Sequence, residues 1–196
     1  MGLGRQHQEA NVARKVGIVV GSLRKGSFSR QVAKALTLLA PDSLSFEFID
    51  IGDVSHYNQD LDTDNPPASW QKLRGAVRGC DAILFVTPEY NRSVPGVLKN
   101  AIDIASRPYG NSAWDKKPCA IVSVSPGAMG AFGANHHLRQ SLVFLNMPTM
   151  PQPEAYVGNA AKLVDEQGKI TVDSTREFLT KFMAAYATWV ERHTPK

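Results

Sequence analysis

The sequence has little cysteine. Only two occur in 196 residues, Cys80 and Cys119. Each adjoins an apolar run and neither stands in a C-x-x-C or other metal-ligating spacing, so both are expected to be buried free thiols. No apolar stretch approaches the roughly 20 residues needed to span a bilayer, which argues against a membrane partner. The start, Met1 to Arg14, is polar and lacks an apolar signal core, and Met-Gly-Leu-Gly-Arg-Gln misses the Ser or Thr of a myristoylation signal. A loose tail over residues 1–14 of a cytoplasmic protein is the expectation. Lys and Arg exceed Asp and Glu by 22 to 18, a net charge of +4, but no basic stripe is interleaved with aromatics. Nucleic acid is therefore not indicated, and the charge suits attraction of anionic small molecules. With no repeat, low-complexity tract or linker, residues 15–196 read as one domain.

Strand and helix patterns alternate from Lys15 onward. Val16 to Val20 is an apolar strand run. Val32, Ala33, Leu36, Leu39 and Ala40 then fall on one helical face. Phe46 to Ile51 reads as a second strand, and residues 50–67, rich in Asp, Asn and Pro, as a loop. Leu73, Ala76, Val77 and Cys80 mark a second helix. Ala82 to Val86 is an uninterrupted apolar run of the kind found in interior parallel strands. Val97, Leu98, Ala101, Ile102, Ile104 and Ala105 form a broad apolar stripe on the next helix, broad enough to bury more than one side. Cys119 to Val124 is a fourth strand, followed by a helix through Leu138, Leu142 and Leu145. A short extended piece near Pro148 to Val157 precedes a last helix with Phe178, Leu179, Phe182, Met183, Tyr186, Trp189 and Val190 as its buried stripe. Trp70, Trp114 and Trp189 read as packing residues. Five strands alternating with helices predict a three-layer, doubly wound parallel sheet in the flavodoxin-like order 2-1-3-4-5.

That order brings the loops after strands one, three and four to one site, because ligands of such sheets bind outside the carboxyl ends at the switch point. The first loop, Gly21 to Ser29, joins a buried strand to a helix whose unpaired N–H groups and positive dipole end suit an anion. Ser22, Ser27 and Ser29 supply hydroxyls, and Arg24 and Lys25 supply cations. The bland alternative is an ordinary connection with Ser29 as the helix cap. Gly21-x-x-x-x-Gly26 has the frame of a P-loop, but Ser27 occupies the Lys position, which argues against nucleoside triphosphate hydrolysis. A dinucleotide fingerprint is missing after the first strand, while Gly127, Gly130 and Gly133 follow the wrong strand for one. A mononucleotide, its phosphate in the first loop and its ring across the other two, fits the spacing.

The blocks Gly21-Ser22-Leu23-Arg24-Lys25-Gly26-Ser27-Phe28, Thr87-Pro88-Glu89-Tyr90-Asn91, Ser93-Val94-Pro95-Gly96, Leu98-Lys99-Asn100-Ala101-Ile102-Asp103 and His137-Leu138-Arg139-Gln140 together resemble the NAD(P)H-dependent FMN reductases, within them the small chromate and quinone reductases. The resemblance implies FMN as cofactor, NADPH or NADH as donor, and a ping-pong cycle in which hydride passes to the flavin N5 and then to quinones, chromate or similar small-molecule acceptors. It implies that Ser22, Arg24, Ser27, Phe28 and Ser29 hold the FMN phosphate. Pro88, Glu89, Tyr90 and Asn91 would run along the isoalloxazine edge, and Ser125 and Gly127 would lie at its other margin. No side chain is expected to be catalytic, because the cofactor carries the chemistry.

Other residues admit two readings at this stage. Glu89 resembles a general base, but hydride transfer requires none, which favours a positioning or interface role. Tyr90 is either a ring-pocket aromatic that meets the nucleotide or half-buried packing. Arg107 either attracts the donor's phosphates or an anionic acceptor, or is a solvated helix-end residue. His136 and His137 point about 100° apart on a helix without a completing ligand, which favours a surface or subunit contact over a metal. The resemblance and the broad Val97–Ala105 stripe predict a dimer or homotetramer. A flavodoxin-type electron carrier is the alternative function; such carriers typically have a Thr-rich phosphate loop without Arg and an acidic surface.

Overall fold

The computed structural model describes residues 13–165 and 167–194. In chain order the elements are β1 (Arg14–Val20), α1 (Phe28–Leu39), β2 (Leu44–Ile49), α2 (Ala68–Arg78), β3 (Ala82–Thr87), α3 (Gly96–Ala105), β4 (Cys119–Val124), α4 (Phe132–Phe144), β5 (Ala155–Val157) and α5 (Asp173–His193). The strands form one all-parallel sheet in the order β2-β1-β3-β4-β5, the expected arrangement. Among the described residues no helix is long and apolar enough to cross a membrane. Of the tail expected over residues 1–14, residues 1–12 lie outside the described residues. Arg14 belongs to the sheet instead, donating its N–H to Ser43 O at 2.8 Å and pairing with Glu191 at 3.0 Å.

Strict side-chain alternation sorts the core into two layers. Val16, Ile18 and Val20 of β1, Leu84 and Val86 of β3, and Val122 of β4 meet α1 and α5 on one face. Val19, Ile83, Phe85 and Ile121 meet α2, α3 and α4 on the other. Both faces are covered, so β3 and β4 are buried along their whole length and read in the sequence as continuous apolar runs. The broad stripe of α3 has the same cause. Leu98, Ala101, Ile102, Ile104 and Ala105 are all consumed inside this chain's own core.

Boundaries shift where a strand or helix lies at an edge. β2 runs from Leu44, two residues before its expected start, and its ladder ends at Ile49 opposite Val19. It borders solvent, with Ser45, Glu47 and Phe48 exposed, so periodicity marks it weakly. Phe178, expected in the buried stripe of α5, is 39% exposed beside edge-strand residues Tyr156 and Val157. Trp70 and Trp114 are fully buried, and Trp189 is half-buried with its Nε1 donating to Pro148 O at 2.9 Å. Cys80 and Cys119 are buried free thiols, as expected. Burial pushes both thiols up, Cys119 to about 12.

The long connection over residues 50–67 is held down by polar contacts to α2 and α3. Asp62 accepts from Arg74 Nη2 at 2.7 Å and from Arg107 Nε at 3.2 Å, with the Asp62 and Arg74 side chains only 4% and 6% exposed. Arg74 Nε also donates to Ile104 O at 3.0 Å. Nearby, Trp70 stacks on Tyr57 and Asn100 accepts the Tyr57 N–H at 2.8 Å. Burial pushes the Asp62 carboxyl up, but the hydrogen bonds and charges of Arg74 and Arg107 outweigh it and hold the group below its ordinary value. A depressed folded-state pKa means that this stabilisation is complete above the unfolded value of about 4 and is lost as pH falls through the folded value. Asp62→Asn, which leaves Arg74 buried without its counter-charge, is expected to lower unfolding free energy by about 3 kcal/mol at pH 7. Urea titrations repeated below pH 4 should show a shallower acid loss in the variant than in the parent.

Candidate functional site

Three loops leave the carboxyl ends of β1, β3 and β4 and meet in one cleft. Its lining is Ser22, Arg24, Ser27, Phe28, Ser29, Pro88, Glu89, Tyr90, Val124, Ser125 and Pro126, around about 400 Å³, within the size range of small-ligand sites. Nine of these residues were singled out by the sequence. Val124 carries only the reading of a strand end there, and Pro126 is not among the site residues expected from the sequence.

The first loop is seated by close packing. Gly21 donates its N–H to Val86 O at 2.9 Å, and a Cβ there would fall 2.7 Å from Thr87 Oγ1 and 3.1 Å from Leu98 Cδ2. Only glycine lets β1 turn out over β3 at this point. The cap of α1 is Ser27, not Ser29: its Oγ accepts the Arg30 N–H at 3.3 Å, and its backbone has the extended conformation of an N-cap. Phe28 and Ser29 are then the first two helical residues, whose N–H groups have no intrahelical acceptor by position. No acidic residue occupies the first turn of α1, so the positive end of the helix is not neutralised from within. Ser22, Ser27 and Ser29 are buried at this end. Arg24 is exposed, with Nη2 donating to Gly26 O at 2.6 Å and the guanidinium 5.4 Å from the Phe28 ring centre. Lys25 is exposed.

The second and third loops are tied to each other by Glu89. The N-cap residue of α4, Ala131, has a left-handed backbone (φ +59°) and no capping side chain. Glu89 Oε2 takes that place from across the cleft, accepting the Ala134 N–H at 3.0 Å, and Oε1 lies 3.7 Å from Arg92 Nη1. The carboxylate thus satisfies a donor and faces the positive end of α4. On the third loop Ser125 Oγ accepts the Gly127 N–H at 2.9 Å.

Several expected residues stand apart from the cleft lining. Asn91 is at the tip of a turn with φ +51°, and Gly127 lies behind Ser125, accepting the Asn159 N–H at 3.0 Å. Arg107, beyond the end of α3, is joined to Asp62 and lines a separate cavity of about 540 Å³ with Tyr109 and Phe144. His136 and His137 make different contacts, to Tyr156 Oη at 3.0 Å and Ser93 Oγ at 2.9 Å.

The sheet order, with this cleft at the strand carboxyl ends, places the protein in the flavodoxin-like class. Residues 14–162 match the family model described as NADPH-dependent FMN reductase, and the chain belongs to that family. It is similar to a quinone reductase of Pseudomonas putida, with 59% identity over 176 residues, covering 90% of this chain and 94% of the relative. A 2-hydroxy-1,4-benzoquinone reductase of Burkholderia sp. is 47% identical over 179 residues, covering 91% and 97%. Among solved structures, the flavoenzyme NAD(P)H:(acceptor) oxidoreductase FerB of Paracoccus denitrificans superposes with a TM-score of 0.86 at 41% identity, covering 93% of this chain and 100% of that one. The resemblance read from the sequence motifs is borne out at the level of family.

The Glu89 cap has a measurable consequence. Glu89→Ala should reduce unfolding free energy by about 1–2 kcal/mol, the range for loss of a helix cap with its charge–dipole component. Glu89→Gln, which keeps an acceptor oxygen, should recover part of that loss in the same denaturant titration.

Proposed function

We propose that this chain is an FMN-dependent NAD(P)H oxidoreductase that reduces quinones. The observation that carries the reading is the convergence of a hydroxyl-rich helix N-terminus with the Pro88–Tyr90 and Val124–Pro126 segments around one cleft. Family membership and relatives named for quinone reduction support it. When bound, FMN supplies the hydride chemistry between NAD(P)H and the acceptor. The residues present suit that group: three buried hydroxyls, the free N–H groups of Phe28 and Ser29, and Arg24 offer donors and positive charge to a phosphate.

In this reading Ser22, Arg24, Ser27, Phe28 and Ser29 hold the phosphate. Ser27 also caps α1, so its hydroxyl is fixed in direction before the ligand arrives. Pro88, Glu89 and Tyr90 position one edge of the flavin ring, and Ser125 the other, with Asn91 and Gly127 outside the lining. Tyr90, 53% exposed, presents an aromatic face at the cleft mouth. Glu89 is committed to α4 and moves no proton. The whole of residues 15–196 serves as one FMN-binding domain, and chromate is a further acceptor.

Self-association as a dimer or tetramer and a cytoplasmic location complete the proposal. Exposed Tyr109, Val143 and Phe144 support the first, and two unpaired thiols suit a reducing compartment. Arg107, beside Tyr109, would then meet donor or acceptor from an adjoining subunit. An electron carrier of the flavodoxin type is less well supported, since the relatives above are named as reductases and the chain is basic rather than acidic.

The purified chain is expected to bind FMN and to oxidise NADPH or NADH when a benzoquinone is present. A protein that neither binds added FMN nor supports this oxidation would overturn the reading. Anaerobic bleaching of bound flavin by pyridine nucleotide alone separates the enzyme from a carrier. Arg24→Ala should weaken FMN binding by about 1.5–3 kcal/mol, roughly 10- to 150-fold, the usual range for a charge-assisted hydrogen bond. Equilibrium fluorescence quenching of FMN measures it.

A further inference from the structure

Within the loop after β3, Tyr90 and Ser93 form an antiparallel bridge. The Tyr90 N–H donates to Ser93 O at 3.1 Å and the Ser93 N–H to Tyr90 O at 3.0 Å. The two residues between them, Asn91 (φ +51°) and Arg92 (φ +65°), both lie in the left-handed region. Two positive φ values in a two-residue hairpin are the pattern of a type I′ turn, whose second position belongs by preference to Gly, as in Asn-Gly. Arg92 therefore keeps a backbone conformation that Gly or Asn would adopt with less strain.

Nothing the Arg92 side chain touches in this chain accounts for that strain. It is 82% exposed, and its 3.7 Å approach to Glu89 stabilises little at such exposure. The base of the hairpin, by contrast, is fixed to α4 on three sides. Glu89 accepts the Ala134 N–H, Ser93 Oγ meets His137 Nδ1, and a Cβ on Gly133 would fall 2.8 Å from Arg92 O. A solvent-facing guanidinium thus stands on a rigid mount beside Glu89 and Tyr90, both of which line the cleft.

We propose that Arg92 is a specificity-determining contact for the electron donor, its guanidinium taking a phosphate ester of the dinucleotide while the nicotinamide end enters the cleft. This rests on the function proposed above. The donor carries pyrophosphate, and NADPH a 2′-phosphate as well, whereas a quinone carries no charge. A cation at the rim therefore discriminates the donor from a quinone acceptor.

The test uses the FMN-loaded protein and its Arg92→Gly, Arg92→Asn and Arg92→Lys variants. Gly and Asn suit the turn and remove the charge, so both variants should melt no lower than the parent while the donor KM rises about five- to tenfold. The quinone KM serves as internal reference and should stay put. Calorimetric affinity for NADP+ should fall in parallel, and Arg92→Lys should recover most of both. An equal rise for NADH and NADPH assigns the pyrophosphate, and a rise for NADPH alone assigns the 2′-phosphate; either supports the proposal. Donor KM and NADP+ affinity at parental values in the Gly and Asn variants would overturn it, as would a change confined to the quinone KM. Failure of the unaltered protein to oxidise either nucleotide would instead count against the proposed function itself.

Discussion

A helix begins with N–H groups that its own backbone cannot satisfy, and this constraint organises the carboxyl end of the sheet. Two helices, α1 and α4, start there, α1 at the cleft itself and α4 against Glu89, which lines it. At α4 the requirement is met internally: Ala131 offers no side chain, and Glu89 reaches over from the loop after β3 to accept the Ala134 N–H. At α1 it is met only in part, by Ser27 on the Arg30 N–H, and the remaining donors open onto buried hydroxyls without a carboxylate in the first turn. One positive helix end is thus closed by the protein's own anion. The other is left for an anion from outside.

The sheet was legible in the sequence wherever burial was complete. Ala82–Val86 and Cys119–Val124 stand out because both faces of β3 and β4 are covered, so every position is apolar. β2 was displaced by two residues because an edge strand with exposed Glu47 and Phe48 carries no such run. The cleft was legible as three loops, and nine of its eleven lining residues were named, because topology alone brings those loops together. What the loops do to one another was not. Ser27 and Ser29 are both of capping type, and the sequence offers no rule for choosing Ser27 over Ser29. The Glu89–Ala134 bond spans 45 residues. The hairpin at Asn91-Arg92 escaped notice because its usual sign is Asn-Gly, and the second half of that sign is replaced by Arg.

Long-range polar contacts also explain why Arg107 does not sit with the loops. Its guanidinium shares Asp62 with Arg74, and the pair fastens the connection between β2 and α2 against the outer helices. Charge on this chain is consequently divided between two duties. Arg74 and Arg107 hold the connection over residues 50–67, while Arg24 and Arg92 remain exposed near the cleft. Arg74 and Arg107 are drawn inward by the buried Asp62 that they share, whereas Arg24 and Arg92 point to solvent.

The buried cysteines take on a further meaning beside the proposed acceptor. Quinones are soft electrophiles that add to thiolates, and the thiolate is the reactive form. Burial moves the Cys119 thiol up to about 12 and raises Cys80 as well, and both side chains lie within the sheet layers, away from the cleft. At neutral pH burial keeps the Cys119 thiol in its protonated form, out of reach of solvent. A quinone acceptor would therefore meet almost no cysteine nucleophile in this chain, a consequence of the same packing that builds the sheet.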